Sequence, residues 1–214
     1  VHSDNVNVLT VNNIPSVALD VTAQLQDLFN ALGFFNLSGN IISPRGGVGT
    51  ELEINKSHGT AFKAGSNFNI NPKDPHTVTL NSQVGATFRY RNQDSSEGGD
   101  IVDIDPTTYD LNGTTTTISG NNNQATIQRV YIFPSNIIRI QRGQEIFSNL
   151  AAAIDAVGKE AFVTETNIAE NGLKLCSIAV TKGCTDLSDP SEAQFFTASR
   201  FGELGSVGSA GTTT

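Results

Sequence analysis

The chain has 214 residues, is 37% hydrophobic and only 16% charged, and sets 13 Lys and Arg against 21 Asp and Glu for a formal net charge of −8. That balance argues against a nucleic-acid groove, which needs clustered basic residues, and no apolar run reaches the ~18 residues that a membrane span requires. The charge deficit is filled by Thr, Asn, Ser and Gly, the profile of extracellular β proteins and fibres; a disordered chain would carry more net charge and fewer β-branched residues.

Residues 1–14 mix Asn, Val and Asp without a helical period and read as a linker or an edge strand. From Pro15 to Leu32 the pattern changes. Ala18, Val21, Leu25, Leu28 and Leu32 recur at spacings of three and four, the a/d seam of a short coiled coil, with Gly33 as a stop. Two accounts fit: an amphipathic helix packed on its own sheet, or an oligomer interface in which three parallel copies share an axis. Such a short helix is marginal alone, so burial elsewhere must hold it.

Residues 37–91 read as short strands, with alternation over Val48–Asn55, Thr77–Leu80 and Gln83–Tyr90. Residues 92–100 form a polar loop, Ile101–Ile104 a short strand, and Thr107–Asn123 a Thr/Asn/Gly-rich connection. Ala125–Phe133 and Ile137–Gln141 are rich in β-branched and aromatic residues and flank Pro134-Ser135-Asn136, which predicts a hairpin. Ser148 then caps a helix with Leu150, Ala153, Ile154 and Val157 on one stripe. Ala161–Thr164 and Leu173–Thr181 are further expected strands around an Asn167–Gly172 loop, and Gln194–Phe201 closes the ordered part. The fold class expected is mainly β, antiparallel and sandwich-like, with one N-terminal amphipathic helix and one short helix near 148–157.

The expected division is a linker and helix over 1–35 and a β-rich domain over 36–204, with 92–124 a candidate split into two subdomains. A flexible Gly/Ser linker follows over 205–214. With no Met anywhere and that tail, the chain reads as an ordered segment of something longer, and no charged n-region with an apolar stretch marks a signal peptide in this stretch.

No catalytic constellation stands out. Arg45-Gly-Gly-Val-Gly-Thr50 lacks the spacing and lysine of a phosphate loop and reads as a turn. His2, His58 and His76 lie in separate segments, with no nucleophile elbow to recruit them. Cys176 and Cys184 are too few for zinc and out of register for a simple cross-strand disulfide, so they read as buried thiols. Asp100, Asp103 and Asp105, with Glu97 near, are weak calcium candidates without the twelve-residue loop pattern, and edge-strand carboxylates are the plainer account. Arg89, Arg91, Arg129, Arg139 and Arg142 alternate along expected strands and are candidates for a basic strip on one sheet face. A sugar-cleaving carboxylate pair is not singled out by 21 acidic residues, and Trp is absent.

From about Asp103 onward the chain resembles a module of tailed-bacteriophage fibre and appendage proteins. The resemblance is carried by Asp105-Pro106 with Tyr109-Asp110, Thr126-Ile-Gln-Arg-Val-Tyr131 with Phe133-Pro134-Ser135, and Gly143-Gln144. Glu160-Ala-Phe-Val163, Glu170-Asn-Gly-Leu173, Thr185-Asp-Leu-Ser-Asp189 and Gln194-Phe195 continue it. Arg142 departs from the family pattern, which has an aromatic before Gly-Gln. The resemblance implies a structural virion protein at the particle surface, a homotrimer contacting other virion proteins and contributing to host attachment through a surface glycan or protein. It implies no catalytic residues and no cofactor. The alternatives are a polysaccharide-degrading enzyme on a trimeric β scaffold and a cellular adhesin module.

Overall fold

The computed structural model describes residues 2–3, 8–9 and 21–202, and the chain divides into two compact units, residues 1–31 and 32–214. In the first unit β1 (His2–Ser3) and β2 (Val8–Leu9) pair antiparallel. The helix α1 spans Val21–Leu32 and is followed by Gly33 at φ 65°, the left-handed turn that ends a helix at little cost to glycine. Residues 15–20 of the expected helix, Ala18 among them, and the expected 205–214 linker lie outside the described residues.

The second unit opens with β3 (Phe35–Gly39), β4 (Ile42–Pro44), β5 (Ile54–Lys56), β6 (Gly59–Phe62), β7 (Thr77–Leu80) and β8 (Phe88–Arg91). It continues through β9 (Thr108–Leu111), β10 (Thr114–Thr117), β11 (Ala125–Ile132), β12 (Ile138–Gln141), α2 (Leu150–Ala156), α3 (Thr166–Asn171), β13 (Leu173–Thr181) and β14 (Ala193–Thr197). The fold is mainly β, with short helices and almost wholly antiparallel sheets. The largest sheet has the order β14-β13-β11-β12-β8, and smaller ones are β3-β6-β7, β4-β5 and β9-β10.

All eight residues of β11 are buried, because both faces of the central sheet are covered. On one face Val130 and Ile132 join Ile138, Ile140, Phe88 and Ile178, with Ile42, Ile54, Ala61 and Leu80 from the smaller sheets closing the core. On the other face Ala125, Ile127 and Ala179 receive Ala153 of α2 and Val157, the residue that caps its C-terminal end. Three alanines at that contact let helix and sheet approach closely, as dense packing requires. Gln128, fully buried, accepts from the Tyr90 hydroxyl at 2.7 Å and donates to the Asp105 carbonyl at 2.7 Å, which satisfies it inside the core.

The hairpin predicted over 125–141 forms: β11 and β12 pair antiparallel, with Asn136 at φ 63° in the turn. Unexpectedly, β8 adds to β12 in parallel, with Arg139 beside Arg89 and Ile140 beside Tyr90. Lys56 explains how the turn is held. Its Nζ is buried and donates to the carbonyls of Leu80 and Asn81, both at 2.9 Å, and to Asn136 Oδ1 at 3.0 Å. Burial without a carboxylate among these acceptors pushes its pKa down to about 8.

Several expected elements are corrected. Val48–Asn55 is not one strand, because Gly46, Gly47 and Gly49 adopt positive φ and Val48 stands 101% exposed in a turn. Gly85, also at positive φ, delays the 83–90 strand to Phe88 and leaves Val84 exposed. Ile101 and Asp103 make only single bridges, to Phe88 and Glu53. Residues 107–123 are not a plain connection, since β9 and β10 form a hairpin through Asn112 (φ 50°) and Gly113 (φ 92°). Asp110 Oδ1 accepts from Gly113 N at 2.7 Å and closes that turn. Residues 161–164 are no strand: the Gln144 side chain takes a strand's place, accepting from Val163 N at 2.8 Å and donating to Val163 O at 2.7 Å. The expected 167–172 loop is α3, capped by Glu165, whose Oε2 accepts from Ile168 N at 2.9 Å. Asn149, not Ser148, caps α2 by accepting from Ala152 N at 2.9 Å.

Candidate functional site

Four members of the predicted seam are described, and all are exposed: Val21 62%, Leu25 45%, Leu28 51% and Leu32 37%. No residue of α1 is buried. At 1.5 Å per residue the stripe extends along roughly 16 Å of helix. An apolar seam of this length and regularity at a heptad-like spacing is the geometry that a neighbouring helix covers.

Two of the three calcium candidates, Asp100 and Asp105, have carboxylates engaged elsewhere, and Asp103 is exposed. Asp100 pairs with Arg89 through two bonds of 2.5 and 3.0 Å, and that bonding holds its carboxyl below the usual carboxylate range. Asp103 sits at the isolated bridge to Glu53. Asp105 accepts from Thr107 N at 2.9 Å and from the hydroxyls of Thr107 and Thr108, at 2.6 and 2.5 Å. Burial opposes ionisation there, but these bonds outweigh it and keep the carboxyl low. Among the described residues, no three His, Cys, Asp or Glu side chains are grouped to hold a metal ion.

The basic residues do not form one open strip. Arg89 and Arg139 are neighbours in the parallel register, and Glu97 pairs with both. Arg91 faces Glu165 at 3.7 Å. Arg142, the departure from the phage pattern, lays its guanidinium 3.8 Å from the centre of the Tyr90 ring. Residues 45–50 make a closed turn in which the Thr50 hydroxyl donates to Gly46 O at 2.6 Å. His76 Nδ1 accepts from Gly65 N at 2.9 Å, and His58 lends its carbonyl to Asn40 N at 3.3 Å. Cys176 and Cys184 are free and buried, and burial pushes both thiols up to about 12.

A cleft of about 290 Å³ lies on the second face of the central sheet, beyond α2. Its walls include Arg129 of β11, Glu160 and Phe162 of the segment after α2, Ala169 of α3, Lys174 of β13 and Phe201. Arg129 Nη2 donates to Glu160 Oε1 at 2.6 Å, and its guanidinium lies 3.3 Å from the Phe162 ring centre. The two side chains are only 7% and 1% exposed. Burial pushes the Glu160 carboxyl up to about 7 against the pull of Arg129, with Glu145 adding like-charge repulsion. Burial also lowers Arg129 from its ordinary value. Among the described residues that line the cleft, Glu160 is the one carboxylate.

Arg129 and Glu160 lie in separate pieces of the phage-like pattern, which pairs neither with the other. The two are 31 positions apart, and no local pattern marks a partnership that only the fold creates. No family model, no curated protein and no solved structure matches this chain.

Proposed function

We propose that the chain is a structural module of a tailed-bacteriophage fibre or appendage, a homotrimer at the virion surface that contributes to host attachment. The observation that carries this reading is the exposed seam of Val21, Leu25, Leu28 and Leu32. Covering three leucines per chain is worth roughly 1.5–3 kcal/mol each, enough to hold a helix too short to persist alone. The occupant is further copies of this chain, because rotational symmetry brings the same stripe of each subunit to the axis. The phage resemblance over the β-rich part, and a composition that solvates sheet faces with uncharged polar groups, support the same reading.

Light scattering tests it. The expected mass is three times the 22.7 kDa of the chain, and a single-chain mass at micromolar concentration would overturn the trimer. Incubation with capsular and cell-wall polysaccharides tests it against an enzyme, with unshortened polymer as the expected outcome. Released oligosaccharide would contradict it.

A further inference from the structure

A stable protein–protein interface takes roughly 800 Å² from each partner. The seam of α1 offers four partly exposed side chains on a twelve-residue helix. That falls well short, so a trimer held by this seam needs further surface. Chain connectivity says where that surface begins. Only Gly33 and Phe34 separate Leu32 from Phe35, the first residue of β3, so the two lie within about 11 Å whatever path the turn takes. Three copies of Leu32 at one axis therefore bring three copies of Phe35 close to it.

Phe35 belongs to a row of rings. It stacks on Phe62 of β6 with ring centres 4.9 Å apart and meets Phe201 at 5.3 Å, while Phe62 meets the His76 ring at 5.5 Å. Phe35, Phe62 and His76 are half-buried, and Phe201 is 56% exposed. The strands of the sheet β3-β6-β7 carry no charged residue. At a net charge of −8 per chain, like-charge repulsion opposes association, and an uncharged surface rich in phenylalanine is where copies approach at least cost.

We propose that the row of Phe35, Phe62, His76 and Phe201 is a second layer of the subunit interface, covered by the same row of two further copies around the axis that α1 defines. The proposal rests on the appendage reading, which supplies the threefold axis.

Two measurements on the full chain test it. The first is light scattering over a dilution series for the parent, Phe201→Asp and Val48→Asp, with circular dichroism to confirm that each variant folds. Phe201→Asp alters a ring that is already more than half exposed, and Val48→Asp adds the same charge at a fully exposed turn. Phe201→Asp should weaken association at least about tenfold, and Val48→Asp should leave it unchanged. The second is hydroxyl-radical oxidation read residue by residue by mass spectrometry, comparing the parent with Leu25→Asp/Leu28→Asp. Phe35 and Phe201 should react several-fold more slowly in the trimeric parent than in the single-chain variant, with Val48 reacting equally in both. Two outcomes overturn the proposal while leaving the trimer: equal rates at Phe35 and Phe201 in parent and variant, whether both fast or both slow, or a Phe201→Asp chain that associates as tightly as the parent. A single-chain parent, or a Leu25→Asp/Leu28→Asp variant that stays trimeric, instead sinks the seam reading on which the proposal rests.

Discussion

Glu160 and Lys56 are ionisable groups set where water cannot serve them, and each ties stability to pH. The ordinary carboxyl value near 4.5 rises to about 7 at Glu160, so between those values the native state holds the extra proton. Stability from this group is fully present below ~4.5 and is lost as pH rises through ~7. Urea unfolding at pH 5 and pH 8 should show that fall, on the order of 1–3 kcal/mol, and Glu160→Gln should flatten it. At Lys56 the native value is about 8 against 10.5 unfolded, so here the unfolded chain holds the extra proton. The sign reverses, and this group adds stability as pH climbs from ~8 to ~10.5. Lys56→Met should abolish that rise and cost about 1–3 kcal/mol at neutral pH, because the acceptors at Leu80, Asn81 and Asn136 lose their donor. Unfolding curves for the pair at pH 7.5 and 10 check both parts. Neither role was legible beforehand, since a lysine in Ile-Asn-Lys and a glutamate in Gly-Lys-Glu look like solvated residues until their surroundings are known.

Secondary-structure elements were legible where burial imposes a period. Residues 173–181 read as a strand to the residue, and 77–80 likewise, because a covered sheet demands apolar side chains at regular intervals. Where burial is slight the signal fades. The strand 114–117 is four threonines, largely exposed, so composition suggested a loop although Asn112-Gly113 is a strong hairpin turn. The helix α3 buries only Ile168, one contact, which makes no stripe. Caps fall between these cases: Ser148 and Asn149 are both good cap residues, and geometry selects Asn149, whose side chain reaches Ala152 N. Asn149→Ala should therefore cost about 0.5–2 kcal/mol by thermal or urea unfolding. Ser148→Ala should change little, and the opposite ranking would return the cap to Ser148.

At the scale of the whole molecule, the β-rich unit has its own double-sided core, while α1 has no buried residue at all. A twelve-residue helix with an exposed leucine stripe is the part of the chain that the proposed association covers. The measurement that tests this most directly is the solution mass of the chain beside its Leu25→Asp/Leu28→Asp variant, with circular dichroism to follow the β-rich unit. The account predicts a trimer for the parent and a single-chain mass for the variant, with the β signal retained. A monomeric parent, or a variant that stays trimeric, would contradict it.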